Sequence, residues 1–220
     1  MSGLWVVVSG ATSGIGRAIV RRFLAQGLRV LALARDVGAL TILAAELGAL
    51  GNGRLRTAVC DVRDRQRLEA LAAEVGDVFA IVANAGICLQ ARLDHEAADA
   101  VWREVLATNL DGVYHTIQAF RPRMIDEGRI VAISSGLGKL GRAGYSAYSA
   151  SKHAVLGLVK CVALELAPRR ITVNAICPGW VTTAMSDADL ERTADERGTS
   201  AEAERARAIG EIALGRFVGP

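Results

Sequence analysis

Tyr148 and Lys152 set a phenol and an ammonium four residues apart, in a stretch whose residue pattern predicts a helix over Ala147–Ala167. Residues at i and i+4 share a helix face, so both heads reach one point. A free tyrosine, with a pKa near ~10, is a weak proton donor at neutral pH. An ammonium about 5 Å away, at an effective dielectric of ~20, is worth roughly 3 kcal/mol, or about 2 pKa units. That shift would let the phenol exchange a proton with a carbonyl or alcohol oxygen near neutrality. The chain has only three tyrosines and three lysines, at Tyr114, Tyr145, Tyr148, Lys139, Lys152 and Lys160. The pair would still arise by chance in roughly 4% of such chains, so the surrounding sequence must show that a fold is built to use it.

Short β-branched runs alternate with longer helical patterns. Strands are expected at Leu4–Ser9, Arg29–Ala34, Leu55–Cys60, Phe79–Ala83, Arg129–Ser134 and Ile171–Cys177. Helices are expected at Ile15–Gln26, Val37–Leu50, Asp64–Val75, Ala97–Ile125 and Ala147–Ala167. Several strand runs are nearly continuously apolar, as in strands buried on both faces of a parallel sheet. The alternation predicts an α/β, Rossmann-type, doubly wound parallel sheet forming a single domain over residues 1–220.

The first strand runs into Ser9-Gly10-Ala11-Thr12-Ser13-Gly14-Ile15-Gly16 and then a helix. Gly10 allows the sharp turn, Gly14 admits a diphosphate close to the backbone, and Gly16 lets the helix pack on the sheet. The helix N-terminus offers free N–H donors and a positive dipole end. Such a loop after the first strand of a βαβ unit is a strong dinucleotide signal. The second strand ends Ala34-Arg35-Asp36. A carboxylate at that strand end suits the ribose hydroxyls of NAD; Ala34 stands there instead, and Arg35 can pair with a 2′-phosphate. NADP(H) is therefore preferred over NAD(H), with Asp36 turned away. The bland alternative for Arg35 is an exposed loop charge.

These motifs resemble those of the short-chain dehydrogenase/reductase family along essentially the whole chain. Gly10, Gly14 and Gly16 are similar to its cofactor loop, with Ser13 and Ile15 between them. Cys60-Asp61-Val62 resembles the segment that meets the adenine. Asn84-Ala85-Gly86 resembles the turn after the fourth strand, with Ala83 in place of the family's first asparagine. The resemblance implies a catalytic tetrad of Asn109, Ser135, Tyr148 and Lys152. Pro178 and Gly179 begin a turn in which Val181 and Thr183 are implied to hold the nicotinamide carboxamide and nearby phosphate. The subgroup it most resembles is that of 3-oxoacyl-carrier-protein reductases and aromatic polyketide ketoreductases.

By that resemblance, Ser135 holds the substrate oxygen, Tyr148 donates the proton, Lys152 lowers the tyrosine pKa and binds the ribose, and Asn109 fixes a water behind Lys152. The implied reaction is reduction of a ketone, including β-ketoacyl and carrier-protein-bound forms, to a secondary alcohol. Its alternatives are an NAD(H)-dependent alcohol dehydrogenase and a non-catalytic cofactor-binding regulator; the intact tetrad argues against the latter. The family also implies a homodimer or homotetramer.

The remaining sequence narrows the classes. A net charge of +3 and the lack of a basic, aromatic-rich stripe argue against nucleic acid. No apolar run is long enough for a membrane span, and the N-terminus leads straight into a strand, so a cytoplasmic protein is expected. Cys60, Cys88, Cys161 and Cys177 are scattered without metal-ligand spacing and read as small core residues, with no metal expected. Ser134 reads as a strand end, Tyr145 as a pocket wall, Trp5 and Trp102 as packing, and Trp180 as pocket lining or core cap. His95, His115 and His153 read as surface or packing residues. Ser186–Arg207 is polar and of mixed charge, either a solvated helix pair or a lid over the site. The chain ends with Pro220 after Leu214-Gly215-Arg216-Phe217, which in the resembling family leads into a further helix and strand. The expectation is a C-terminally short domain; the alternative is a short member whose tail packs differently.

Overall fold

The structure is a computed structural model and describes residues 3–220. Its apolar runs pair into one six-stranded, wholly parallel sheet. The strands are β1 (Trp5–Ser9), β2 (Arg29–Ala34), β3 (Leu55–Val59), β4 (Val78–Ala83), β5 (Met124–Ile133) and β6 (Thr172–Ile176). Their spatial order is β3-β2-β1-β4-β5-β6, so the winding direction reverses between β1 and β4. In open parallel sheets, ligands bind at the carboxyl ends of the strands beside that reversal. β6 pairs only with β5 and forms one edge of the sheet.

The helices are α1 (Gly14–Ala25), α2 (Val37–Gly51), α3 (Arg65–Ala73), α4 (Ala98–Leu106), α5 (Gly112–Phe120), α6 (Ser146–Leu166), α7 (Ala184–Arg197) and α8 (Ala201–Gly210). All five residues of β1 are buried, and their alternation sorts them onto two layers. Val6 and Val8 join Val20 and Leu24 of α1 and Leu43 and Leu47 of α2. Trp5 and Val7 join Leu68 and Leu71 of α3, Phe120 of α5 and Val155 of α6. Asp36 and Asp64 cap α2 and α3, accepting from the backbone N–H of Ala39 and Arg67 at 2.9 Å each. None of the described helices is long and apolar enough to cross a membrane.

Three expectations need correction. The helix expected over Ala97–Ile125 ends at Phe120 and is not continuous: five residues, Ala107–Asp111, form a π-turn between α4 and α5. Pro122 sits in a short 3-10 turn that closes the helix, and β5 begins at Met124, five residues before the expected strand start. Trp102, read as packing, is 43% exposed on α4. The Ser186–Arg207 segment falls within α7 and α8. These helices pack on one another and share a small apolar cluster of Leu190, Ala208 and Phe217 with Trp180.

The tightest constraint lies where α1 leaves the first strand. A Cβ placed on Gly16 would sit 2.1 Å from the Gly10 carbonyl oxygen and 2.6 Å from the Asn84 amide nitrogen. Helix propensity alone would favour alanine there by about 1 kcal/mol. The clash opposes it, because the carbonyl belongs to the turn and cannot rotate away. Gly16→Ala should lower stability by about 1–3 kcal/mol. Urea melts of the two proteins check this, and equal midpoints would count against the close packing.

Candidate active site

The carboxyl ends of β1, β4, β5 and β6 open onto one cleft of about 850 Å³. Its floor is the turn after β1, with Gly10, Ser13, Gly14 and Ile15 on its surface. Gly10 has φ +62°, and a Cβ there would meet the Ala85 backbone at 2.8 Å, so both space and conformation require glycine. Gly14, also at positive φ, faces Thr183, whose methyl would lie 2.8 Å from an added Cβ. This bare backbone at the N-terminus of a twelve-residue helix is a cradle suited to a diphosphate. Asn84 ties the cradle to β4, its amide donating to the carbonyls of Ser9 and Gly10 at 3.0 Å each. The Ser9 hydroxyl accepts from the backbone N–H of Asn84 and Ala85 at 3.1 Å.

Ser135, Tyr148 and Lys152 line the same cleft, as do Asn84, Ala85, Gly86, Pro178, Gly179, Val181 and Thr183. Ser135 follows β5; Tyr148 and Lys152 stand on the first turns of α6. The Lys152 nitrogen lies 5.7 Å from the Tyr148 ring centroid and donates to the Ile133 carbonyl at 2.8 Å. Thr183 caps α7, its hydroxyl accepting from the Ser186 N–H. Five expected residues stand back from the cleft surface. Gly16 serves close packing. Asn109 is wholly buried on the π-turn; it accepts from the Ile87 N–H at 2.8 Å and donates to the Ile87 carbonyl at 2.9 Å and to Ser151 at 3.2 Å. It therefore clamps the loop after β4 against α6. Asp61 and Val62 lie at the end of β3. Both carboxylate oxygens of Asp61 accept from Arg63, which holds the carboxyl below its ordinary pKa. Arg35 is exposed at the end of β2, with no carboxylate within ion-pairing distance among the described residues.

The electrostatics depart from expectation. Burial pushes the Tyr148 phenol up to about 12, the Cys88 thiol raises it further, and the Ser135 hydroxyl pulls the other way. Burial pulls the Lys152 ammonium down to about 8. In this arrangement the lysine does not lower the tyrosine. Its ammonium is turned to the Ile133 carbonyl, and both groups have lost water.

Three residues that no motif marked complete the wall. Asp189 of α7 is buried; it accepts from the Tyr145 hydroxyl at 2.8 Å, from Gln90 at 2.8 Å and from Arg192 at 2.6 Å. Cys88 lies beside it, its thiol raised to about 12 by burial and by the Asp189 charge. Arg142 lies over the Tyr145 ring at 4.8 Å. Tyr145 is thus a pocket wall, as expected, and also a bonded one. Trp180 lines the cleft and stacks on Phe217 at 5.0 Å, serving both readings offered for it. Ser134 is a buried strand end whose hydroxyl donates to the Lys152 carbonyl at 2.9 Å. His153 and His115 reach only backbone carbonyls. No group of three or more His, Cys, Asp or Glu among the described residues could hold a metal.

A parallel sheet that reverses its winding beside a glycine cradle at a helix N-terminus is the arrangement of a dinucleotide-binding fold. The model of the short chain dehydrogenase family matches residues 4–194, and the chain belongs to that family, whose members interconvert C=O and CH–OH with NAD(P). A provisionally named ketoacyl reductase of Streptomyces coelicolor is 41% identical over 225 residues, covering 97% of this chain and 84% of the relative. Galactitol 2-dehydrogenase (L-tagatose-forming) of Cereibacter sphaeroides is 40% identical over 195 residues, covering 84% and 74%. Among solved structures, a variant of actinorhodin polyketide ketoreductase with NADPH superposes with a TM-score of 0.92 at 39% identity, covering all of this chain and 88% of the other.

Lys152 sits where its charge is costly. Its folded pKa lies below the ordinary value of ~10.4, so the folded state binds fewer protons than the unfolded between about pH 8 and 10. Stability is therefore penalised below pH 8, and the penalty fades as pH rises toward 10. Lys152→Met should raise stability by about 1–3 kcal/mol at pH 7, net of the lost bond to Ile133, with a smaller gain at pH 9.5. Urea melts at both pH values check this; a gain that grew with pH would refute it.

Proposed function

We propose that this chain is an NADP(H)-dependent carbonyl reductase that uses Tyr148 as its general acid and takes a ketone to a secondary alcohol. The observation that carries the reading is the convergence of Ser135, Tyr148 and Lys152 with the glycine cradle on one cleft. When bound, the reduced nicotinamide supplies a hydride to the carbonyl carbon. The Ser135 hydroxyl holds the carbonyl oxygen, and Tyr148 gives that oxygen its proton as negative charge develops. Lys152, with a pKa near 8, is poised to return a proton to the phenolate side near neutrality. Its bond to Ile133 fixes it to the end of β5, the strand that leads into Ser135. Asn109 keeps the Gly86–Ile87 loop in register with α6, and Pro178, Gly179, Val181 and Thr183 border the nicotinamide side of the cleft.

Replacing Tyr148 with Phe removes the donor and leaves the cradle intact. Turnover of ketone substrates, followed by NADPH absorbance, should fall by about 10²–10⁴ while cofactor affinity stays within a few-fold. Retention of a tenth or more of the rate would overturn the assignment of Tyr148.

The preference for NADP(H) rests on Arg35. Asp36 spends its carboxylate on the Ala39 N–H and so turns into its own helix. Arg35 is left as the exposed charge at the end of β2, beside the cradle, whose Ala11 N–H donates to the Leu33 carbonyl at 3.1 Å. A solved relative of 39% identity was determined with NADPH, and another, provisionally named an NAD(P)-dependent gluconate 5-dehydrogenase, holds NADP at low occupancy. Arg35→Ala should weaken NADPH binding by about 10–100-fold and leave NADH almost unchanged. Fluorescence titration of both cofactors tests it, and equal affinities in the unaltered protein would reverse the preference.

A further inference from the structure

We propose that Arg142 is the anion receptor of the substrate cleft, so that the preferred substrates carry a phosphate or carboxylate remote from the reacting carbonyl. The proposal deepens the carbonyl-reductase reading and rests on it for the identity of the cleft. Arg142 lies in the segment between Ser135 and α6 and lines the cleft. Its guanidinium rests on two aromatic rings, 4.8 Å from the Tyr145 centroid and 5.9 Å from that of Trp180. Both platforms are fixed. The Tyr145 hydroxyl is held by Asp189 and Gln90, and Trp180 stacks on Phe217. Stacking positions a guanidinium while leaving its N–H fork free for a planar or tetrahedral oxyanion.

The carboxylates of the cleft do not neutralise it. Asp189 is committed to Arg192, Tyr145 and Gln90. Glu204 is buried and held by Arg197 and Thr199, with Arg207 at 3.8 Å. Glu211 is exposed at the end of α8. No carboxylate among the described residues stands within ion-pairing distance of Arg142. The cleft therefore carries four cationic side chains (Arg142, Lys152, Arg197, Arg207) against three carboxylates, with Arg142 pre-positioned and unpaired. A low-dielectric wall with a fixed, unspent cation favours an anionic ligand and disfavours a neutral polyol.

Two sources supply that chemistry: the phosphate of a pantetheine thioester arm and the carboxylate of a keto sugar acid. The test uses calorimetric titration of protein saturated with NADP+, so that the phosphate sites of the cofactor are filled. The paired ligands are 4′-phosphopantetheine against pantetheine, and 5-keto-D-gluconate against L-sorbose. The expected result is at least one pair in which the anion binds about 10-fold or more tightly than its neutral partner, and that pair names the source. In Arg142→Gln the ratio should collapse toward one, and Arg142→Lys should recover part of it. Equal binding within both pairs, or a ratio that survives in Arg142→Gln, overturns the proposal. The readout is independent of turnover. The expected ratios with no carbonyl reduced by any ligand would uphold Arg142 and refute the reductase reading instead.

Discussion

The amide of Asn84, bonded to the carbonyls of Ser9 and Gly10, is the tie on which the site depends. It joins the ends of β1 and β4 at the place where the sheet reverses its winding. On one side of that tie lie the glycine cradle and α1; on the other lie the loop to Ile87, the π-turn and α6. The cradle follows β1 and Ser135 follows β5, and both strands pair with β4 between them, so hydrogen-bonded backbone sets their separation. A site built on the scaffold in this way holds its geometry without help from its ligand.

Much of this was legible in the sequence, for local reasons. A glycine at a turn, a tyrosine and lysine one helical turn apart, and an alternation of strand and helix are short-range patterns. They survive because a parallel sheet projects them onto a common edge. Gln90 and Asp189 were not legible, because their bond joins segments about a hundred residues apart, and Arg142 was not, because its place over Tyr145 and Trp180 depends on packing that no local period marks. The break in the helix at Ala107–Asp111 was hidden because a one-residue skip in the apolar pattern shows only once it is known which neighbours α4 and α5 pack against. The proton affinities of Tyr148 and Lys152 were misjudged from spacing alone. Charge separation can be read from a helix wheel, but loss of water cannot, and burial is the larger influence on both groups.

The chain keeps a charged group where folding disfavours it. Lys152 is 4% exposed and Tyr148 half-buried, while Val155 and Val159 on the same helix and Ile133 are buried apolar residues. Beside them the wall of α7 is held by polar bonds rather than by a broad apolar face; its contribution to the small cluster with Phe217 rests on Leu190. The Tyr148–Lys152 side of the cleft is thus strained electrostatically, and the α7 side is clamped by a few directional contacts that can be exchanged one at a time.

The π-turn has a consequence for how this chain could change length. α4 packs on α6, whereas α5, beyond the five-residue π-turn of the same helical rod, packs on α3 and β4. The widened turn holds one residue more than a regular turn would. Deleting a single residue from Ala107–Asp111 would close the widened turn into regular winding and leave the later side chains facing nearly as before, at the cost of the Asn109 bonds to the Ile87 backbone. Deleting one at the start of α5 would instead swing every later side chain by about 100° about the axis and turn Val113, Ile117 and Phe120 out of the core together. Single-codon loss is therefore barred within α5, whereas the π-turn could absorb one without turning the core, and the exposed turns at Asn52-Gly53 and Gly198-Thr199 leave further room.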